Sequence, residues 1–446
     1  MAGSVVERSD QAIPHPLLPL NSSISAKWQV VFVVLAAVQL LSAALFLFTV
    51  HRLVFDENYY DRDVRRYERE GITQASLRAQ DTAAGPGMTV LASLAGRLAP
   101  GSLVVRRIPI LAGWVVSVVL LFALARNRPD QTVVPVAGIL LLVFPHTPLS
   151  MATLLTEGPS LTWVVVAIWT SGLGRADPET STSTPRALLT GLSVGLAIWF
   201  RQYYLALVPA FLVAWWTSPS RWRVWGCFLV GPLVTLGAYF YIWGGLTSTA
   251  ARVGTNFGYQ SHLGLDFIRP LSAMAYVGVY ALPVLIGGDW RAWFRGRGRF
   301  LPLVGFLLAA LVVGWERSVW GNGPLATMIA GFGRIGRFSR LIADGALTGV
   351  AFTGALVLTS LVSTSRRALR EPFAVLCWSF ILFFALEQAA IGGNVPYYER
   401  YAHQTILFGS ALAVMLVPPR SMVVTIFIAA FFLESQWILW RNVLGV

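Results

Sequence analysis

The chain has 446 residues, 56% of them hydrophobic and only 12% charged, with a mean hydropathy of +0.64. A soluble fold needs about twice that charged share to cover its surface. Soluble enzymes, disordered chains and nucleic-acid binders are therefore excluded, and a multi-span membrane protein is indicated. The formal charge is +13, carried by arginine apart from the single Lys27. Such a balance suits cytoplasmic loops, lipid head groups or phosphate ligands.

Residues 1–26 are polar and contain Pro and Ser, without the apolar stretch of a cleavable signal. Residues 1–27 read as a cytoplasmic tail, and the run from Trp28 as an anchor that stays in the membrane. Residues 28–446 are expected to form one transmembrane domain. Its apolar runs lie at 28–50, 104–125, 131–146, 158–174, 187–200, 203–217, 223–243, 270–288, 300–315, 343–363, 372–391, 404–418 and 421–440. They predict an all-α polytopic protein of about thirteen transmembrane helices, the runs near 131, 187, 203 and 404 being short for a span.

Orientation follows from arginine in alternate short loops: Arg126/Arg128, Arg175/Arg186, Arg221/Arg223, the group Arg291 to Arg299, Arg366/Arg367/Arg370 and Arg420. The positive-inside bias makes that side cytoplasmic. The long first loop, 51–103, is then extracytoplasmic, as are most of the unusual polar residues, so function is expected on the outer face.

That first loop opens with Phe55-Asp56-Glu57. An acidic pair at a membrane boundary is costly to desolvate. One reading has it capping the next helix and pairing with Arg62 or Arg66. The other makes it a general base for a hydroxyl. Tyr60, Val64 and Tyr67 share a face at helical spacing, with Arg62, Arg65, Arg66, Glu68 and Arg69 on the others. This predicts an amphipathic helix on the membrane surface, a turn over Asp81 to Gly87, and a short apolar helix from about Met88 to Leu98. Two interfacial helices of this kind would roof a lipid-accessible cavity.

Farther along, Thr156-Glu157 opens a span, where Thr156 suits an N-cap and Glu157 the helix dipole. Arg201, in Phe200-Arg201-Gln202, falls between two apolar runs and either snorkels to head groups or holds a phosphate or carboxylate. The loop 254–262, ending in His262, is polar and aromatic, which suits sugar contact or an ordinary loop. Near the end, Glu399-Arg400-Tyr401-Ala402-His403 sets two cations on one helical face, fit either for a phosphate or for interfacial anchoring. Gly331 to Arg337 looks like a glycine-rich phosphate loop, but no strand precedes it. Cys227 and Cys377 lie in apolar runs and read as buried small hydrophobes, with no metal cluster.

Taken in order, Phe55-Asp56-Glu57, Arg66-Tyr67, Thr82 to Gly87, Arg107, Thr156-Glu157 and Phe200-Arg201-Gln202 resemble the GT-C superfamily of polyprenyl-phosphate-sugar glycosyltransferases. Within it the chain is most similar to the dolichyl-phosphate-glucose-dependent alpha-1,2-glucosyltransferases of N-glycan precursor assembly. It departs from them in the charge between Glu57 and Arg66 and in the final Arg/His motif, and its arginine-rich usage suits a bacterial relative.

The resemblance implies a GT-C fold and a hexosyltransferase. It would move a hexose, glucose in that family, from a polyprenyl-phosphate sugar to a glycan or lipid-linked acceptor, with inversion; no cofactor, metal site or nucleic-acid partner is assigned, and metal dependence stays open. The membrane would be the plasma membrane in a bacterium or the endoplasmic reticulum in a eukaryote, with the site on the extracytoplasmic or lumenal side. Asp56 would be the base, and Glu57 would orient it or the acceptor. Glu157, Arg201, Gln202, His262, Glu399, Arg400 and His403 would bind substrate or phosphate. The competing reading is a transporter or flippase for a polyprenyl-linked sugar, for which Glu387 is the notable charge within a span.

Overall fold

A computed structural model describes residues 22–54, 56–128, 132–173, 183–218, 220–253, 268–286, 370–391, 402–417 and 421–444, with isolated positions between 345 and 362. Helices make up the fold, and no strand occurs among the described residues. The chain is an all-α polytopic membrane protein. Six helical segments are long and apolar enough to cross a bilayer: Ser25–Thr49, Leu103–Asn127, Arg221–Trp243, Arg269–Ile286, Pro372–Ala390 and Val424–Arg441. The expected spans at 300–315 and 343–363 lie wholly or mostly outside the described residues.

The first long helix, α1 (Ser22–Thr49), turns Val30, Leu41, Leu45 and Phe48 outward. Similar exposed apolar side chains mark α5 (Leu103–Asn127), α11 (Arg221–Trp243) and α16 (Ser421–Leu444). Water would not tolerate so much apolar surface, whereas lipid tails match it.

Short helices fill the space between the long ones. The run expected as a span at 131–146 is instead the ten-residue α6 (Val133–Leu142), buried at every position. It stops before Phe144-Pro145-His146-Thr147-Pro148. Pro145 lacks an N–H and disfavours helical backbone at Phe144. The Thr147 hydroxyl then donates to Leu141 O at 2.6 Å, and the chain restarts as α7 (Thr147–Ala152). Two further helices, α8 (Glu157–Ser171) and α9 (Thr184–Phe200), pack side by side.

The crossing of α9 with α11 is close because glycines face each other. A Cβ on Gly231 would lie 2.0 Å from Gly191 O, and one on Gly195 would lie 2.6 Å from Gly231 O. Small residues four apart let backbones approach in this way inside a membrane. The Thr235 hydroxyl adds a bond to Gly195 O at 3.0 Å. After α9 come a 3-10 turn (Gln202–Ala206) and α10 (Leu207–Ala214). The remaining described helices are α12 (Thr249–Val253), α13 (Ile268–Ile286), α14 (Pro372–Ile391) and α15 (His403–Leu416).

In the first loop, α2 (Glu57–Glu70) and α4 (Gly87–Gly96) form where they were expected, with a short α3 (Gln74–Arg78) between them. Tyr60, Val64 and Tyr67 do share the buried face of α2. Glu57, Asp61 and Asp63 are buried with them. The inward side of this helix is thus acidic as well as apolar, and it is turned on the protein.

Candidate active site

The acidic stripe of α2 meets two consecutive arginines at the start of α5. Glu57, Asp61 and Glu68 fall four and seven residues apart, which places them on one helical face. Arg106 donates to Asp61 Oδ1 at 2.6 Å and to Glu68 Oε1 at 2.8 Å. Arg107 donates from Nε to Glu57 Oε1 at 2.9 Å and from Nη2 to Glu57 Oε2 at 2.5 Å. Its remaining donors reach the carbonyls of Val50 and Arg52, at the end of α1. Glu57 pairs with neither Arg62 nor Arg66; it also accepts the amides of Val54 and Leu154, both at 2.8 Å. With its oxygens so occupied, Glu57 anchors α2 to α5 and to the link between α7 and α8.

Asp56 stands immediately before this anchor, at the N-cap position of α2. It is half-buried, and its side chain does not cap the helix. An open recess of about 420 Å³ lies at the end of α1, its lining including Thr49, Val50, His51 and Arg52.

Leu154, which grips Glu57, belongs to the link between α7 and α8. Two residues on, Thr156 occupies the N-cap position of α8, but its side chain makes no cap bond. Its Oγ1 instead accepts from Arg201 Nη1 at 2.7 Å. Glu157 Oε1 lies 3.2 Å from Arg201 Nη2, and both side chains are buried. Arg201 owes this position to a break in the helix. It is the extended residue that ends α9, with φ −149° and ψ 111°, and its guanidinium lies 5.1 Å from the Tyr203 ring centre. Of the two readings of Arg201, the structure shows the internal carboxylate pair.

The Gly85-Pro86-Gly87 turn packs against the same end of α9. A Cβ on Gly85 would lie 2.1 Å from Trp199 O and 2.2 Å from the Tyr239 hydroxyl. No residue larger than glycine fits there without moving backbone. Gln202, expected to touch substrate, donates its amide hydrogens to Ala83 O at 3.0 Å and Leu246 O at 2.9 Å. It therefore ties the first loop to the segment after α11.

His403 begins α15 and is buried. Its ring stacks on Phe144 with centroids 5.3 Å apart and tilts against Trp114 at 5.7 Å. Nε2 lies 3.0 Å from Thr147 Oγ1. Because the Thr147 proton goes to Leu141 O, Nε2 carries the proton and donates to Thr147. Glu157 lies within electrostatic reach of this ring. The structure thus gathers Glu57, Glu157 and Arg201 through one short link, with His403 beside Glu157. His262, Glu399 and Arg400 lie outside the described residues.

Arg106 and Thr147 were not among the expected site residues. The signal for Arg106 was the acidic 57/61/68 spacing opposite a double arginine; nothing in the local sequence marks Thr147 as the partner of His403. No group of three or more His, Cys, Asp or Glu side chains placed to share a metal ion occurs among the described residues.

No protein-family model matches the chain, and no curated protein matches it. Among solved structures, it is similar to ArnT from Cupriavidus metallidurans bound to undecaprenyl phosphate. The identity is 14% and the TM-score 0.43, over 94% of this chain and 78% of that one. The apo state of the same protein gives 14% identity and a TM-score of 0.42, over 95% and 78%. At this score and identity the likeness assigns no chemistry to this chain.

Proposed function

We propose that the chain is a GT-C-type membrane glycosyltransferase. It moves a hexosyl group, glucose by the sequence resemblance, from a polyprenyl-phosphate sugar to a hydroxyl of a glycan or lipid-linked acceptor on the extracytoplasmic face. Asp56 takes the proton of the attacking hydroxyl. The acceptor oxygen bonds to the anomeric carbon as the bond from that carbon to the phosphate oxygen breaks. The polyprenyl phosphate leaves with the electron pair, and the configuration inverts. Arg201, aligned by Thr156 and Glu157, stabilises the charge that develops on the phosphate. Arg400 and His403 are further candidates for that role, with His262 and Glu399 on the sugar or acceptor.

The observation that carries this reading is the Leu154–Glu157 link. It fixes the anchor next to Asp56 at one end and the guanidinium of Arg201 at the other. The residues read as base and phosphate-binding cation are thus tied to one short link, which supports a displacement reaction. The test is purified protein in nanodiscs with a panel of polyprenyl-phosphate sugars and acceptors, read by mass spectrometry. Transfer is expected with at least one donor and is lost in Asp56→Asn with folding intact. Near-normal turnover by that variant removes Asp56 as the base.

A second reading, a transporter or flippase for a polyprenyl-linked sugar, draws on a buried polar contact between membrane helices: Arg269 Nη2 to Gln388 Oε1 at 3.0 Å. Uptake of the lipid-linked sugar into proteoliposomes without sugar transfer would favour it.

A further inference from the structure

Helix α5 starts beside the carboxylates of α2 and ends at another buried arginine. Arg107 lies near its beginning and Arg128 is its C-cap. At 1.5 Å per residue the rise between them is roughly 30 Å, the thickness of a bilayer's hydrocarbon core. Arg128 therefore sits at the membrane boundary opposite the candidate active site.

Arg128 is 6% exposed. Its Nη2 pairs with Glu371, just before α14, and lies 3.6 Å from Met415 Sδ. The guanidinium carbon is 4.5 Å from the Phe373 ring centre. Nε and Nη1 are buried and meet no acceptor among the described residues. Those two nitrogens carry three of the five guanidinium donors, and a buried cation with unmet donors is unfavourable until an acceptor arrives. Arg126, in the last turn of α5, and Arg370, next to Glu371 in sequence, are exposed. The α14 N-terminus, at Pro372, adds the positive end of a helix dipole. Arg126 and Arg370 thus stand within two residues, along the chain, of the Arg128–Glu371 pair. Asp130 lies outside the described residues.

We propose that Arg128, with Arg126, Arg370 and the first turn of α14, binds the phosphate of an anionic phospholipid. Phosphate supplies charge and several acceptor oxygens to the unmet donors. Met415, partly exposed beside Nη2, gives an apolar flank for the lipid's glycerol and upper acyl carbons. The position at the bilayer boundary is where such head groups are concentrated. This site is independent of the proposed catalysis.

The test uses full-length protein in phosphatidylcholine nanodiscs titrated with phosphatidylglycerol. Bound lipid is counted by native mass spectrometry, and the unfolding temperature is followed in parallel. Wild type is expected to retain phosphatidylglycerol over phosphatidylcholine. Arg128→Gln should weaken that retention by about tenfold. Glu371→Gln should strengthen it, because a competing carboxylate is gone. If Arg128 only staples α5 to α14, both variants lower the unfolding temperature alike while lipid retention stays unchanged, and the proposal falls. It also falls if inorganic phosphate alone reproduces the Arg128-dependent shift, which would make the ligand a soluble anion. Should Arg128→Gln fail to fold, Glu371→Gln and the exposed pair Arg126→Gln/Arg370→Gln decide the matter. A gain in the first and a loss in the second support the site, and no change in either overturns it.

Discussion

Arg107 and Glu57 form a two-bond ion pair in which neither side chain has exposed surface. The pair joins the start of the second long helix to the first turn after α1, and the Leu154 amide locks the third partner onto the same carboxylate. Every oxygen of Glu57 therefore has a task that depends on another element of the fold.

Removing the cation from this arrangement leaves a buried carboxylate facing only backbone amides. Arg107→Gln is expected to destabilise the protein by about 3–5 kcal/mol, the usual cost of breaking a buried pair from one side. Arg107→Lys keeps the charge but not the planar donor set, and should recover only part of the loss. Thermal unfolding of the purified variants checks both. A wild-type midpoint for Arg107→Gln would mean that the pair is not structural.

Asp63 predicts an unusual pH dependence. Burial pushes its carboxyl up from the ordinary 3.8 to about 6, against the opposing pull of the Asp81 and Thr82 amides. The folded protein therefore holds this proton more tightly than the unfolded chain does. Stability contributed by Asp63 is greatest near pH 4, declines as pH rises to about 6, and is flat beyond, a change of roughly 3 kcal/mol. Asp63→Asn keeps an acceptor oxygen and removes the titration. The unfolding midpoint of wild type should fall between about pH 4 and pH 6, and that of the variant should not. Parallel slopes would contradict this account.

Two glycines on α11 make opposite predictions. A Cβ on Gly231 would collide with the backbone of Gly191, whereas one on Gly226 meets open space. Gly231→Ala must separate α9 from α11 and should lower stability by about 1–3 kcal/mol, as overpacking does. Gly226→Ala should be neutral or gain up to about 1 kcal/mol of helix propensity. Comparing the two unfolding midpoints is sufficient, and equal effects would dismiss the close crossing.

Arg201 and Thr156 separate charge from alignment in the proposed reaction. Arg201→Gln should reduce kcat by roughly 10²–10³-fold, the range for losing one group that stabilises developing charge. Thr156→Val leaves the cation in place without its 2.7 Å acceptor and should produce a smaller fall, again in kcat more than in KM. Unchanged turnover in Arg201→Gln would withdraw the phosphate role.

The long helices were legible because apolar runs of span length admit few other structures. The faces of α2 were only half legible. Tyr60, Val64 and Tyr67 announce an apolar stripe, but the burial of Glu57 and Asp61 depends on Arg107 and Arg106, some fifty residues away in sequence. Local periodicity cannot see such a partner. The same holds for Thr156, whose sequence position suits an N-cap while its hydroxyl serves Arg201 in a different helix. Gln202 reads as a ligand group next to an arginine, and only the folded chain reveals the two carbonyls that engage it. The 131–146 run gives a helix of only ten residues, Val133–Leu142, because Pro145 breaks the backbone near its end.

The Glu57–Arg107 contact also constrains biogenesis. The partners are 50 residues apart, so at ordinary elongation rates of 5–20 residues per second the carboxylate waits roughly 3–10 s for its counterion to be synthesised. During that interval Glu57 must stay hydrated at the surface or be shielded by the insertion machinery. The first loop can dock only once α5 has entered the bilayer, which makes this ion pair a timing device for the order in which the chain assembles.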